Sequence, residues 1–258
     1  MALFGFQNFS KPGPGVRKDE PPQKPVVVFF QIFYRKFWDL IKLNLLYFAS
    51  VFLLLAPMII MIITHFAGGS LWFLLSLLPI SLAGPATAGL TLVLRNDVRQ
   101  EHVFLWTDYI NAVRSNWRQA WLAGMLIVAA AILAIFCVPF YVQQASKNPL
   151  MILPLVIIFV ALSLFIFMQY YVFVVIVTFD LKLRQIYRNA LILAIMGLGR
   201  NVLLTLFCGA VLLLCIYSPL AMAFLPLLWL STVGMVVNFA VWPLILKYMI
   251  ANQKIPDN

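Results

Sequence analysis

The sequence predicts an all-α membrane protein: a polytopic bundle of about six transmembrane helices, with amphipathic helices at one membrane surface. Hydrophobic residues make up 64% of the 258 residues, the mean hydropathy is +1.00 and only 10% of the residues are charged, whereas a soluble domain has roughly 25%. Apolar runs repeatedly exceed the roughly 18 residues that cross a hydrocarbon core. Basic residues fall between these runs, as membrane topology requires, which argues against a nucleic-acid-binding domain.

The N-terminal part is predicted to lie outside the bilayer core. Residues 1–25 are rich in proline, glycine and lysine, which favours a flexible tail, and they lack the apolar centre of a signal peptide. Residues 26–43 are predicted to form an amphipathic helix that lies in the membrane interface or packs under the bundle. Its polar residues recur at spacings of three and four and form one stripe: Gln31, Arg35, Asp39 and Lys42.

A single bundle domain is predicted over residues 44–252, followed by a short C-terminal tail at 253–258. The fourth span has 30 residues and a length of about 45 Å, so it must tilt or project beyond the bilayer. The last two spans are divided only near Ser218 and Pro219, and a five-span arrangement follows if the helix continues there. The predicted spans are about 44–64, 71–94, 119–142, 150–179, 201–218 and 221–246.

The distribution of basic residues predicts the orientation. With these spans, seventeen of the eighteen lysines and arginines fall on one side, and Lys147 alone falls on the other. The positive-inside rule places the basic side, and with it both termini, in the cytoplasm. The loops on the other side are short, so we expect no external substrate-binding domain.

The residues that would support catalysis or metal binding are scarce. His65 and His102 have no second histidine or cysteine at ligand spacing, and the three cysteines lie inside apolar runs, where they are expected to pack as small hydrophobic residues. P-loop and nucleophile-elbow motifs are absent, and no acidic residue lies at the centre of a span. We therefore expect no enzyme activity, no cofactor and no metal.

Two sets of residues inside the spans have both a structural and a functional interpretation. Small residues in the GPATAG segment allow close helix packing, or a broken helix that lines a site: Gly84, Pro85, Ala88 and Gly89. Polar side chains act as interhelical hydrogen-bonding groups, or line a polar pocket or substrate path: Asn44, Gln169, Asn201 and Asn238. The structural interpretation is favoured for both sets.

The stretch 95–119 is predicted to be an amphipathic cytoplasmic helix. Aromatic and basic residues recur along it at helical spacing, so it suits anionic lipid head groups or a docked protein partner. The residues proposed for this partner or lipid surface are Phe104, Trp106, Tyr109, Arg114, Trp117 and Arg118.

Four blocks carry a family resemblance: KPGPGVRKDEP from Lys11, KFWDLIKLNLLY from Lys36, GPATAGLTLVLR from Gly84 and FLWTDYINAVRSNWRQA from Phe104. Together they resemble the YesL-like family of bacterial integral membrane proteins, a family of unknown function, and the likeness extends through the whole chain. Its members are frequently encoded beside carbohydrate ABC importers and polysaccharide-degrading enzymes in Gram-positive bacteria. The resemblance therefore implies a cell-membrane role around sugar uptake, and it supplies no catalytic residues.

These observations favour a non-catalytic accessory or assembly protein for a carbohydrate ABC importer, with permease subunits as partners. A permease role is less favoured, because the chain lacks the acidic-Ala-Ala…Gly cytoplasmic loop that such subunits offer to their ATPase. The alternative is a small solute transporter or channel that uses the polar residues Gln169 and Asn238. A membrane-embedded enzyme ranks third, because histidines and acidic residues are so few.

Overall fold

The computed structural model describes residues 24–65 and 78–251, and these ranges are helical without strands. Most of the predicted N-terminal tail, the C-terminal tail and the first part of the second predicted span lie outside the described residues. The helices are α1 (Pro25–Arg35), α2 (Phe37–His65), α3 (Ala83–Val98), α4 (Leu105–Ala145), α5 (Ile152–Ile176), α6 (Leu183–Met196), α7 (Leu198–Tyr217), α8 (Pro219–Phe224) and α9 (Leu230–Ile245). Short 3-10 turns precede α3 (Leu78–Leu82) and α5 (Pro149–Met151), and π-helical turns flank α9 (Leu225–Trp229 and Leu246–Ile250).

Four helical segments of the described part are long and apolar enough to cross a membrane: Leu105–Ala145, Pro149–Ile176, Leu198–Tyr217 and Leu227–Ile250. The protein is therefore a helical membrane protein. The last two segments are separate, because Ser218 has an extended backbone (φ −119°, ψ 109°) and α8 begins at Pro219. A proline is favoured at a helix start because its missing N–H would have no intrahelical partner there.

The first helix boundary differs from the one predicted. The break lies at Lys36, with φ −102° and ψ 9°, and not at residues 43–44. Residues 37–43 contain no helix-breaking residue and continue directly into the apolar run of α2. Leu40 and Leu43 are fully buried, so this segment packs into the bundle, and only α1 is a separate amphipathic helix.

The predicted cytoplasmic helix over 95–119 is also divided differently. Its first residues end α3, a connection follows, and the remainder from Leu105 belongs to α4. Helix α4 continues without interruption through residue 119 into the predicted third span and reaches 41 residues. Because neither glycine nor proline occurs between residues 105 and 123, nothing separates the two parts, and the amphipathic segment is a rigid extension of a membrane helix.

Packing is concentrated at the end of the bundle that carries most of the basic residues, which we call the basic end. Here α5 is surrounded by other helices, and every residue from Tyr171 to Ile176 is buried, as expected of a helix that is apolar on all sides. Helices α3, α4, α6, α7 and α9 contribute to the same core, and α1 and α2 pack on a second cluster that includes Leu94 and Met235. The other half of α5 exposes apolar side chains such as Ile157 and Val160, a surface suited to lipid.

Candidate functional site

Helices α3 and α4 form a close antiparallel hairpin, and glycines make the close approach possible. A Cβ atom at Gly84 would overlap the carbonyl oxygen of Ala120, and one at Gly124 would overlap the carbonyl oxygen of Ser81. A Cβ at Gly89 would lie 2.8 Å from the Tyr109 ring. Since two of these neighbours are backbone atoms that cannot move aside, the hairpin requires glycine at these points.

The other small residues of the GPATAG segment have different surroundings. Ala88 is fully buried in the core, whereas Pro85 is half-buried and lines a small apolar groove of about 270 Å³ between α2, α3 and α4. Helix α3 runs from Ala83 to Val98 and follows the 3-10 turn Leu78–Leu82, so Pro85 lies in its first turn, where the missing N–H of proline leaves no intrahelical hydrogen bond unmade. Near the start of the hairpin, the Trp121 indole N–H donates to the Ser81 hydroxyl at 3.0 Å.

The extension of α4 presents an exposed surface of aromatic and basic side chains. Trp106 and Trp117 are eleven residues apart, which is three helical turns, so they share a face and lie about 16 Å apart along the axis. They are 63% and 49% exposed, and the Arg118 guanidinium carbon lies 5.6 Å from the Trp117 ring centroid. We call this surface the aromatic–arginine face; it consists of Phe104, Trp106, Arg114, Trp117 and Arg118.

Tyr109 does not belong to this face, and its assignment to a partner or lipid surface is corrected. The residue is 3% exposed and packs against Gly89 of α3. Its hydroxyl lies 2.7 Å from the Ser50 hydroxyl of α2, which satisfies a buried polar group. Tyr109 therefore joins three helices. Its helical spacing with exposed residues predicted an exposed Tyr109 side chain. The sequence contained no local sign of burial, because the hydrogen-bonding partner Ser50 is 59 residues away.

A cleft of about 680 Å³ lies beside the aromatic–arginine face, between α4 and the end of α5. The Gln119 side chain donates to the Leu181 carbonyl at 2.9 Å across it. Most of its lining is polar or charged, as expected of a surface that receives a polar ligand or a peptide segment. The lining includes Arg114, Ser115, Asn116, Arg118, Thr178 and Asp180.

Arg95 supports this cleft from α3. Its guanidinium donates to the Val177 carbonyl at 2.6 Å and to the Thr178 hydroxyl at 3.1 Å, so a cation caps the C-terminus of α5, where the helix dipole favours positive charge. Burial lowers the pKa of the Arg95 guanidinium, and the nearby positive charge of Arg99 lowers it further. From the sequence, Arg95 was only one of the basic residues that follow the second predicted span. The available signal was its position one residue after a predicted span, too close to the apolar run to be fully solvated.

A second buried charge fixes the break between α1 and α2. The Lys36 ammonium lies 2.9 Å from the Asp97 carboxylate of α3, whose side chain is only 3% exposed. Burial raises the pKa of the Asp97 carboxyl, and Lys36 opposes that rise. The pair joins segments 61 residues apart, and neither residue was identified from the sequence.

Two of the four polar residues predicted inside the spans are hydrogen-bonded between helices. Asn44 accepts the Ser231 backbone N–H at 2.8 Å and so joins α2 to α9. Asn201 accepts the Tyr171 hydroxyl at 2.8 Å and donates to the Ala194 carbonyl at 2.9 Å, joining α7 to α5 and α6. Both asparagines are fully buried. Their surroundings match a structural role.

The other two polar residues, Gln169 and Asn238, have different surroundings. The Asn238 amide donates to the Gly234 carbonyl of its own helix at 2.8 Å, while its oxygen is buried without a hydrogen bond. Both polar side-chain atoms of Gln169 are likewise buried, and this side chain lies next to the Tyr187 hydroxyl of α6. The cavities described above are lined by other residues, so these two side chains are not brought together in one polar pocket there.

Within residues 24–65 and 78–251, no group of three or more histidine, cysteine, aspartate or glutamate side chains is placed to hold a metal ion. Cys137, Cys208 and Cys215 are free thiols. Among the described residues, the side chains that line the cleft carry guanidinium, amide, hydroxyl, indole and carboxylate groups.

In a comparison with known proteins, residues 66–138 match a family model described as "Protein of unknown function, DUF624". The matched segment includes α3 and most of α4, and therefore the glycine-packed hairpin and its aromatic–arginine face. The chain matches no curated protein and no solved structure.

Proposed function

We propose that this protein is a non-catalytic accessory or assembly protein of a carbohydrate ABC importer in the bacterial cell membrane. The aromatic–arginine face is its docking surface for a permease subunit. The observation that carries the proposal is the exposure of Trp106 and Trp117 on one face of a helix that is held rigidly by glycine packing. The sugar-importer part follows from the resemblance of the sequence blocks described above.

The same proposal includes the membrane arrangement. Six spans would place both termini and the aromatic–arginine face in the cytoplasm, because nearly all of the cations then fall on that side. Helix α2 and the predicted second span (71–94), which includes most of α3, would provide the first two spans, and the four segments identified above would provide the rest. A permease presents cytoplasmic loops at the same depth, so the two surfaces would meet.

The composition of the face supports protein docking. Tryptophan and arginine dominate the binding energy of protein interfaces, where one such residue contributes about 2 kcal/mol or more. Arg114 and Arg118 form no ion pair with a carboxylate in the part of the chain that the structure describes. They are therefore free to pair with acidic groups of a partner. The adjacent cleft would accept a loop of that partner.

The test is affinity purification of the full-length protein in mild detergent from cells that express it at its native level. We expect the wild-type protein to recover importer permease subunits. The double variant Trp106→Ala/Trp117→Ala should recover at least about tenfold less, given the contribution of two interface tryptophans. The matched control is Phe136→Ala/Phe140→Ala, which removes two exposed aromatic rings from the apolar half of the same helix and should change nothing.

Two results would contradict the proposal. One is recovery of the protein without permease subunits, together with unchanged oligosaccharide uptake in a deletion strain. The other is equal loss of the partner in the tryptophan and phenylalanine double variants, since the face would then have no special role.

The second candidate function is a small transporter or channel, favoured by the buried Gln169 amide and by the Asn238 oxygen, which is buried without a hydrogen bond. Buried polar groups without partners cost free energy and mark functional sites in membrane proteins. Under this alternative, Gln169→Leu and Asn238→Leu each abolish solute flux into proteoliposomes. Under the accessory role, they change stability alone and flux stays at the background of empty liposomes.

A further inference from the structure

A basic groove lies between α5 and α6, on a different part of the bundle from the aromatic–arginine face. It encloses about 850 Å³ and is lined by the exposed cations Lys182, Arg184 and Arg188. Met168 of α5 and Leu191 of α6 also line it and provide apolar surface. One groove thus combines a cluster of positive charge with apolar walls.

The positive charge of this groove is not neutralised within the described residues. None of the three cations forms an ion pair there, and the first turn of α6 contains no acidic residue. Lys182 and Arg184 stand at the N-terminus of α6, where the helix dipole is also positive and disfavours cations. A helix N-terminus surrounded by cations is a favourable environment for an anion.

Tyr187 of α6 adds an aromatic side chain to the lining of the groove. Its hydroxyl is buried and interacts with the Gln169 side chain of α5. This contact joins the two helices that form the walls of the groove.

The apolar side of the groove continues along α5. Ile157 lies eleven residues before Met168, so the two share a helix face about 16 Å apart, and Ile157 is 67% exposed. An amphiphilic molecule can therefore place an anionic group on the cations and an apolar chain along α5. A free anion would use only the first of these features.

We propose that the groove between α5 and α6 binds an anionic phospholipid. Its phosphate lies among Lys182, Arg184 and Arg188, and an acyl chain runs along α5 past Met168 towards Ile157. The site is independent of the proposed docking function, since it shares no residue with the aromatic–arginine face. It would fix the depth of α6 at the membrane surface.

The test measures binding of phosphatidylglycerol and phosphatidylcholine to the purified full-length protein by native mass spectrometry from detergent. The wild type should retain phosphatidylglycerol at least about tenfold more tightly than phosphatidylcholine. Arg184→Gln/Arg188→Gln should remove that preference, because each arginine–phosphate contact is worth about a factor of ten. The control Arg114→Gln/Arg118→Gln removes the same charge elsewhere and should keep the preference.

Three outcomes would overturn the proposal. Equal loss in both double variants would indicate a diffuse charge effect. Equal retention of the two lipids by the wild type would show that the groove does not select an anion. Displacement of phosphatidylglycerol from the wild type by millimolar inorganic phosphate would assign the cations to a soluble phosphate compound.

Arg184→Lys/Arg188→Lys keeps the charge and should retain most of the preference for phosphatidylglycerol. This variant separates loss of lipid binding from damage to the fold.

Discussion

The ion pair between Lys36 and Asp97 gives the sharpest test of the packing at the basic end. Replacing Lys36 with methionine keeps an unbranched apolar side chain that is one atom shorter, and it removes the charge. The Asp97 carboxylate, 3% exposed, would then be buried without a counter-ion. Breaking a buried pair in this way destabilises proteins by about 3–5 kcal/mol.

The protonation of Asp97 limits that cost. An aspartate with an ordinary pKa of 3.8 can be protonated at pH 7 for about 4 kcal/mol, at about 1.36 kcal/mol per pKa unit. The carboxyl of the variant would take up a proton when the penalty for burying the charge exceeds this value. We therefore expect Lys36→Met to destabilise the protein by about 3–4 kcal/mol at neutral pH.

The direction of the pH dependence follows from the raised pKa of Asp97. The folded state binds the proton more tightly than the unfolded state, so the associated stability is present at low pH and is lost as the pH rises through the folded-state pKa. Without Lys36 the pKa rises further. The variant should accordingly lose less stability relative to wild type at pH 5 than at pH 7.5.

The assay is thermal unfolding in detergent micelles, followed by tryptophan fluorescence at both pH values. The expected decrease in Tm for Lys36→Met at pH 7.5 is on the order of 10 °C, on the scale of soluble proteins of this size. Lys36→Met/Asp97→Asn should recover most of it, because no buried charge remains. A decrease below about 2 °C at pH 7.5, or an equal decrease at both pH values, would refute the reasoning.

Two further substitutions test the helix contacts by the same assay. Gly84→Ala should destabilise the protein by about 2 kcal/mol or more, because its Cβ meets the Ala120 carbonyl. The control is Gly209→Ala, which has no neighbouring atom within 4 Å and should be neutral or stabilise the protein by up to about 1 kcal/mol. Equal changes in stability for the two glycine substitutions would contradict close packing at Gly84. Asn201→Leu should destabilise the protein by about 2–3 kcal/mol, because the buried Tyr171 hydroxyl and Ala194 carbonyl would each lose a hydrogen bond. Asn238→Leu should destabilise it by less than about 1 kcal/mol. The reverse order would contradict the structural role of Asn201.

The sequence was most informative where the bilayer constrains the chain. Hydrocarbon tolerates few charges and no unpaired backbone, so apolar runs predicted the helices over 150–179 and 201–218 to within a few residues of segments in the structure. The predicted span 119–142 lies inside the longer helix α4, which begins fourteen residues earlier. The separation of α7 from α8 was predicted from Ser218 and Pro219 for a similar local reason, because proline favours a helix start. Four segments long and apolar enough to span a membrane occur within the described residues, and the total of six stays a prediction.

Contacts between distant segments were not accessible to pattern reasoning. Tyr109 has helical spacing with exposed neighbours, but the Ser50 hydroxyl and Gly89 draw it into the core. The break at Lys36 depends on Asp97, which no local signal links to it. The aromatic–arginine face was named almost completely from periodicity, since four of its residues follow the turns of one uninterrupted helix. The close packing that holds this helix, of Gly84 against the Ala120 backbone and of Gly124 against the Ser81 backbone, required the structure.

The most direct measurement of the central claim is photocrosslinking in living cells, with a photoreactive phenylalanine analogue at position 106 and, as control, at position 135. Ile135 lies eighteen residues after Trp117 on the same helical face and is 50% exposed in the apolar half of α4. The account predicts that position 106 crosslinks to an importer permease subunit, that Trp117→Ala abolishes this product, and that position 135 gives lipid adducts. Lipid adducts alone at both positions would contradict it.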